Sequence, residues 1–196
     1  MNARTLIDAL GVAGRLKDAT RHCDTAGGRR ESVAEHSWRL TLAAYFVSDE
    51  FPEANLEKLL KMCLIHDLGE AFTGDIPTFE KTGADEAREE ALLNEWTGSL
   101  PEPFASEMRA LFAEMKELKT VEARLFKALD KLEAVIQHNE APLSTWLPLE
   151  YGLQLNYGAE QAAFSAYLRG LREEVRADSL RKIAREGGGE RSAEND

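Results

Sequence analysis

Cysteine is scarce in this chain: the 196 residues include only Cys23 and Cys63, which do not form a zinc-type pair. Two isolated thiols are typical of a reducing compartment, so we expect a cytoplasmic protein. The sequence also lacks a long apolar run and a secretory signal pattern. We therefore expect a protein that has no membrane partner.

Positive charge is in short supply as well. The chain has 24 Lys and Arg against 35 Asp and Glu, a formal net charge of -11. Sequence-independent binding to DNA or RNA requires a basic surface, so we expect no nucleic acid polymer as a partner. A small phosphorylated ligand is still compatible with this charge, because it needs only a local group of Arg or Lys. The length and the 43% hydrophobic content suit one domain with a buried core.

The hydrophobic pattern is helical nearly throughout, and two start signals mark its first half. Ser32-Val33-Ala34-Glu35 reads as a capping box, which predicts a helix that runs to about Asp49. The inward-facing stripe of this helix is predicted to be Trp38, Leu42, Tyr45 and Phe46. Asn55 caps the next predicted helix, which ends near Thr73-Gly74. The inward-facing residues of that helix are predicted to be Leu56, Leu59, Leu60, Cys63 and Leu64.

The second half of the chain continues the helical pattern. We predict helices over 85–96, 104–117, 120–139 and 159–177, and a loop over 142–148. No alternating pattern of useful length predicts a strand. The expected fold is all-α, a single-domain helical bundle over residues 1–185. A polar tail follows over residues 186–196, and we expect it to be disordered.

His66-Asp67 is the most informative dipeptide, because it offers a neutral nitrogen and an anionic oxygen to a divalent metal ion. His36 lies upstream in the first turn of its own predicted helix. The positive end of a helix favours the neutral imidazole that a metal requires. Each feature also has an ordinary interpretation: His-Asp is a common dipeptide, and His36 alone would be a surface or packing histidine.

Two acids follow this dipeptide closely. Glu70 shares a helical face with His66 and Asp67, and Asp75 follows Gly74, where the predicted helix ends. Three close carboxylates repel one another and raise one another's pKa, and a bound divalent ion would relieve that repulsion. The alternative is a solvated helix end, on which the acids only decorate the surface.

Asp130 is a third clue, at the margin of the apolar face of its predicted helix. An unpaired carboxylate is costly to bury, so Asp130 needs a partner. A metal ion would serve, and so would Lys127, three residues earlier on the same helix. The sequence pattern leaves both partners open.

The order of His36, His66-Asp67 and Asp130 in this chain resembles the H…HD…D signature of the HD-domain phosphohydrolases. The wider match is more specific than a bare HD dipeptide. Residues 29–37 (RRESVAEHS) and residues 66–78 (HDLGEAFTGDIPT) look like the 5′-deoxynucleotidase branch of that superfamily. The resemblance extends over roughly residues 16–137, and it implies an HD-type helical bundle.

This resemblance also implies a set of functional residues. The implied metal ligands are His36, His66, Asp67 and Asp130. The acids implied in catalysis are Glu70 and Asp75. The implied substrate-binding residues are Arg21, which matches an arginine that binds phosphate, and His22, Asp75, Ile76, Pro77 and Thr78. His22 stands where the family often has tryptophan. The family is commonly dimeric, so we expect a homodimer.

The histidine count indicates how many ions to expect. The chain has four histidines, and none lies between Asp67 and Asp130, where HD proteins with two metals generally have more. We therefore expect one divalent ion. Two imidazoles and two carboxylates suit Mn, Co, Zn, Fe or Ni better than Mg.

The function implied by the resemblance is a metal-dependent phosphohydrolase that removes phosphate from (deoxy)nucleoside 5′-monophosphates. One alternative is another HD phosphohydrolase, acting on nucleoside triphosphates or cyclic nucleotides. A second alternative is a non-catalytic nucleotide-binding HD protein. A third is a metal-free bundle in which Asp130 pairs with Lys127.

Overall fold

The computed structural model describes residues 1–187, which are mostly helical. The helices are α1 (Ala3–Gly14), α2 (Val33–Phe46), α3 (Leu56–Ile65), α4 (Glu70–Thr73), α5 (Gly83–Ser99), α6 (Phe104–Glu117), α7 (Val121–Glu140), α8 (Glu150–Asn156), α9 (Ala159–Ala162) and α10 (Ala166–Glu186). The predicted all-α class is confirmed. The prediction that no strand forms is wrong, because β1 (Thr20–Asp24) and β2 (Arg30–Ser32) pair as a two-stranded sheet.

The described chain forms two compact units. The first contains residues 1–22 and 30–126, and the second contains residues 23–29 and the chain from residue 127 onward. A single domain over residues 1–185 stays a prediction. Of the predicted polar tail, Glu186 is the last residue of α10, and residues 188–196 lie outside the described residues. No helix among the described residues is long and apolar enough to cross a membrane.

Side-chain caps explain where the helices of the first unit begin. The Ser32 hydroxyl accepts from the Glu35 amide, and the Glu35 carboxylate accepts from the Ser32 amide, so the predicted capping box is confirmed. Asn55 caps α3 by accepting from the Lys58 amide at 3.1 Å. The Thr120 hydroxyl accepts from the Ala123 amide at 3.2 Å, so Thr120 caps α7 at the start of the helix predicted over 120–139.

The buried face of α2 differs from the predicted one. Trp38 is 62% exposed, Tyr45 is 56% exposed and Phe46 is 71% exposed, so the predicted inward stripe is wrong. The buried residues of α2 are Val33, His36, Ser37, Leu40 and Ala44. Both sets repeat at helical spacing, so periodicity alone could not choose between them. The more polar set is buried, and this places His36 in the interior of the unit.

The predicted helix after Asn55 is interrupted at the His-Asp dipeptide. Helix α3 ends at Ile65, and its buried residues are Leu59, Met62 and Cys63. Leu64 is exposed, which contradicts its predicted inward position. The chain then turns before α4, which is followed by Gly74 at φ 75. His66 and Asp67 therefore lie in a turn after α3 and not within a continuous helix.

The second unit contains an element that the sequence pattern missed. Helix α8 falls between the predicted loop over 142–148 and the predicted helix over 159–177, in residues for which no helix was predicted. The buried Arg172 of α10 donates to the carbonyls of Tyr157 at 2.8 Å and Gln154 at 2.9 Å. These bonds satisfy carbonyls at the C-terminal end of α8 that its own turns leave open. The predicted last helix is interrupted after α9, and Ser165 caps the longer α10.

Candidate metal centre and surrounding acids

His36 and Asp67 come from different elements of the first unit and meet in its interior. His36 lies in the first turn of α2 and is 1% exposed. The His36 Nε2 atom is 3.8 Å from the Asp67 Oδ2 atom. The capping box fixes where α2 begins, and His36, in the first turn, lies beside the turn after α3.

His66 is oriented by a hydrogen bond to its own helix. Its Nδ1 atom lies 2.9 Å from the carbonyl oxygen of Cys63. A carbonyl oxygen only accepts, so Nδ1 carries a proton, and in the neutral ring that a metal requires Nε2 keeps its lone pair. That Nε2 atom lies 2.9 Å from Asp67 Oδ2. With a neutral ring, two electron-rich atoms would face each other, an arrangement that a cation between them stabilises.

The donor atoms of His36, His66 and Asp67 all lie within 4.8 Å of one another. Ligand atoms that share a metal at about 2.1 Å stand roughly 3 to 3.5 Å apart. Two imidazole nitrogens and one carboxylate oxygen are the donor types of catalytic metal sites, which bind three protein ligands and leave a position for water or substrate. These three residues therefore fit a divalent metal ion.

Asp130, the fourth predicted ligand, lies on α7 in the second unit. The Lys127 Nζ atom donates to Asp130 Oδ2 at 2.8 Å. The ion pair that the sequence left as an alternative is therefore present. An ion pair uses one oxygen of the carboxylate, so the role of Asp130 as a metal ligand stays a prediction.

Glu70 is the first residue of α4 and is 7% exposed. Its Oε2 atom has no hydrogen-bond partner among the described residues. Burial, followed by the nearby charges of Asp67, Asp75 and Glu89, raises the pKa of Glu70 to about 10. A group with that pKa is protonated at neutral pH, and positive charge placed beside it would lower the pKa again.

Asp75 follows Gly74, whose positive φ turns the chain back after α4. Burial raises the pKa of Asp75 above its ordinary value. The Arg21 guanidinium opposes this rise, Asp67 adds to it, and the hydrogen bond from the His22 backbone lowers the pKa. Arg21, His22 and Asp75 are therefore neighbours, and the roles of all three in binding substrate stay predictions.

Arg21 has an acidic partner that the sequence reasoning missed. Its Nη1 atom donates to the Oε2 atom of Glu31 at 2.9 Å, and the Glu31 side chain is 3% exposed. Arg21 lies on β1 and Glu31 on β2, so the unpredicted sheet brings the two residues together. A buried bond of this kind orients the guanidinium.

The rest of the predicted substrate loop follows Asp75. Ile76 and Pro77 are half-buried, and Thr78 is exposed. The Pro77 carbonyl accepts from the amides of Glu80 at 2.7 Å and Lys81 at 2.9 Å, which closes a turn. The nucleotide-contacting role of Ile76, Pro77 and Thr78 stays a prediction.

Lys81 and Glu89 were not predicted, yet both contribute charge to this region. Lys81 Nζ donates to Glu89 Oε2 at 2.7 Å. Burial lowers the pKa of Lys81, but the Glu89 hydrogen bond and the charges of Glu70 and Asp67 outweigh it, so the pKa is raised overall. The only signal in the sequence was the position of Lys81, just after the substrate loop.

Comparisons with known proteins show the family of this chain. The pattern that defines the HD domain matches residues 13–171. Human 5′-deoxynucleotidase HDDC2 is 30% identical over 142 residues, which cover 70% of this chain and 69% of the human protein. The Schizosaccharomyces pombe 5′-deoxynucleotidase hdd1 is 31% identical over 141 residues, which cover 68% of this chain and 70% of the yeast protein.

Solved structures show the same fold. A predicted metal-dependent phosphohydrolase from Magnetospirillum magnetotacticum matches with a TM-score of 0.77 and 25% identity, covering 91% of this chain and 93% of that chain. A conserved hypothetical protein from Pyrococcus furiosus matches with a TM-score of 0.66 and 32% identity, covering 87% and 99% of the two chains. The chain therefore belongs to the HD domain family. The predicted class, a metal-dependent HD phosphohydrolase of the 5′-deoxynucleotidase-like branch, is confirmed.

Proposed function

We propose that this chain hydrolyses the phosphomonoester of nucleoside 5′-monophosphates, with a preference for deoxynucleotides. The observation that carries the proposal is the His36, His66 and Asp67 cluster. The buried Glu70 and the half-buried Asp75 lie close enough for the charge of Asp67 to raise the pKa of both. The names of the curated relatives support this substrate class.

His36, His66 and Asp67 would bind one divalent ion, with Asp130 as the predicted fourth ligand. The donor types suit Mn, Co, Zn, Fe or Ni better than Mg. Such an ion would act as a Lewis acid, neutralising the charge of the phosphate and lowering the pKa of nearby acids.

The side chains around the centre then have separate tasks. Arg21, oriented by Glu31, binds the phosphate with its guanidinium. Glu70, once ionised, accepts a proton from the water that attacks phosphorus. The bond between phosphorus and the 5′ oxygen breaks as the new bond forms. Asp75, whose pKa is raised by burial, donates a proton to the leaving oxygen. The products are orthophosphate and a nucleoside.

A panel assay tests the substrate and the metal together. Metal-stripped protein is incubated with deoxyribo- and ribonucleoside 5′-monophosphates and with each candidate ion, and released phosphate is measured. We expect metal-dependent release that is faster from deoxynucleotides. Equal rates on both sugars would remove the deoxyribose preference. Release of triphosphate or of a linear dinucleotide from other substrates, with no action on monophosphates, would contradict the proposal.

Glu70→Gln tests the role of the buried acid, and Glu90→Gln is the matched control. Glu90 is an exposed glutamate on α5 that pairs with Lys116 at 2.9 Å, away from the metal cluster. We expect Glu70→Gln to abolish turnover with metal still bound, since the amide cannot accept the proton. Glu90→Gln should keep parental turnover. Full activity of Glu70→Gln would remove Glu70 from the mechanism.

The proposal includes a homodimer in the cytoplasm. Light scattering on the purified protein measures its mass, and we expect twice the 21.8 kDa of the chain. A mass equal to one chain at working concentration would contradict the homodimer.

A further inference from the structure

One carboxylate in the first unit contacts three separate segments around the acids. Glu89, on α5, accepts from Lys81 Nζ at 2.7 Å with its Oε2 atom. The Thr73 hydroxyl lies 3.5 Å from the same oxygen, at the end of α4. The carbon chain of Glu89 lies against Gly69, just before α4. The contacts join the turn before α4, its last residue and the residue that closes the substrate loop.

Gly69 shows how close this packing is. A Cβ atom added to Gly69 would lie 2.7 Å from Glu89 Cγ and 2.9 Å from Glu89 Oε1, far inside normal contact. The backbone of Gly69 is α-helical, with φ -58, so an alanine is conformationally acceptable there. The requirement for glycine therefore comes from the Glu89 side chain and not from the backbone angle.

The Glu89–Lys81 pair is shielded from water more than an ordinary surface pair is. The side chains of Lys81 and Glu89 are 20% and 18% exposed, whereas those of the neighbouring Lys116–Glu90 pair are 73% and 56% exposed. Partial burial strengthens the attraction and makes loss of either partner more costly. Lys81 also acts electrostatically on both Glu70 and Asp67.

From these contacts we propose that Glu89 is a positioning residue for the site: it fixes the turn that carries Glu70 and, through Lys81, the loop that begins at Asp75. Glu70 directly follows Gly69, against which Glu89 packs. Asp75 starts the segment that Lys81 closes. Both proposed proton-transfer acids therefore depend on one carboxylate that is not among the proposed metal ligands or substrate-binding residues. This inference rests on the proposed phosphohydrolase function for its kinetic consequence, but not for its structural one.

Kinetics of Glu89→Gln test the proposal, with Glu90→Gln as control on the next residue of the same helix. The amide keeps the size of Glu89 but removes the charge that binds Lys81. We expect kcat to fall about 10- to 100-fold, because small displacements of catalytic groups have effects of that size. The KM and the metal content should stay at parental values, while the unfolding midpoint falls because Lys81 loses its partly buried partner. Glu90→Gln should match the parent throughout. A kcat for Glu89→Gln equal to that of Glu90→Gln would overturn the proposal, and so would a loss of metal content as large as the loss of kcat.

Amide hydrogen exchange of residues 70–81 gives a readout that does not depend on turnover. In the parent, the Gly74 amide donates to the Glu70 carbonyl at 2.8 Å and the Lys81 amide donates to the Pro77 carbonyl at 2.9 Å. We expect both amides to exchange faster in Glu89→Gln than in Glu90→Gln. Unchanged exchange would overturn the proposal. If no nucleotide releases phosphate even with the parent, the proposed function fails, and hydrogen exchange still decides the positioning role.

A double-mutant cycle tests whether Gly69 acts through Glu89. Gly69→Ala displaces the Glu89 side chain, so we expect it to accelerate exchange at residues 70–81 about as much as Glu89→Ala does. In the Glu89→Ala background the added methyl group has free space, so Gly69→Ala should add nothing. Additive effects of the two substitutions would show that Gly69 and Glu89 act separately and would overturn this link.

Discussion

Glu70 gives the sharpest stability prediction, because its folded-state pKa differs so much from that of a free glutamate. In the metal-free fold, burial and the surrounding acids raise the pKa of Glu70 from 4.5 to about 10. Between those two values the folded protein keeps a proton that the unfolded chain has released. Folding stability therefore falls as pH rises through this window, by about 1.4 kcal/mol per pH unit.

Glu70→Gln removes this titration while keeping the shape of the side chain. We expect metal-stripped Glu70→Gln to be more stable than the parent by about 1 kcal/mol at pH 5 and about 5 kcal/mol at pH 8. The amide of the new glutamine carries no charge that must be buried. Its N–H groups can donate to the carboxylate oxygens nearby. The proposed catalytic role of Glu70 would therefore come at a cost to folding stability, as is common where function requires buried charge.

The assay is denaturant unfolding at several pH values in the presence of a chelator, with Glu90→Gln as the exposed control. The gap between Glu70→Gln and the parent should widen with pH, while Glu90→Gln follows the parent. Saturating metal should narrow the gap, because a divalent ion stabilises the ionised carboxylate. Parallel pH curves for Glu70→Gln and the parent would refute the reasoning, since they would mean that Glu70 is already ionised in the metal-free fold.

Three further predictions address the candidate metal ligands and the turn at Gly74. His66→Ala should lose the metal, as measured by elemental analysis of protein purified without chelator; parental metal content would refute the ligand assignment. Asp130→Asn should lower metal content about 10-fold or more if Asp130 is a ligand, whereas Lys127→Met should not. If Asp130→Asn keeps the same metal content as Lys127→Met, Asp130 is not a metal ligand. Gly74→Ala places a side chain at φ 75 and should destabilise the fold by about 1 to 3 kcal/mol in denaturant unfolding; an unchanged midpoint would contradict the strain argument.

The helix starts could be predicted from sequence because their causes are local. Ser32 and Glu35 satisfy each other's backbone amides over a span of three residues, and Asn55 and Thr120 also cap helices over three residues. The two-stranded sheet was missed because its strands are short, with three and five residues. Its consequence for the site is the bond between Arg21 and Glu31, ten residues apart.

The buried faces could not be predicted with the same success. Helix α2 carries two sets of residues at helical spacing, and packing selected the one that contains His36, Ser37 and Leu40 over the one that contains Trp38 and Tyr45. Hydrophobicity alone favours the aromatic set. The burial of His36 follows from the cluster it forms with His66 and Asp67, which an analysis of α2 by itself does not include.

The helical class, the main caps and the residue types at the candidate centre could be predicted from the amino-acid order, because periodicity, capping residues and the spaced His, His-Asp pattern are features of the linear chain. The folded structure was needed to show that His36 lies beside Asp67, that Glu31 binds Arg21, and that Glu89 packs over Gly69 and pairs with Lys81. The raised pKa of Glu70 also follows from the folded structure. That pKa depends on burial and on charges from other segments, which exist only once the chain has folded.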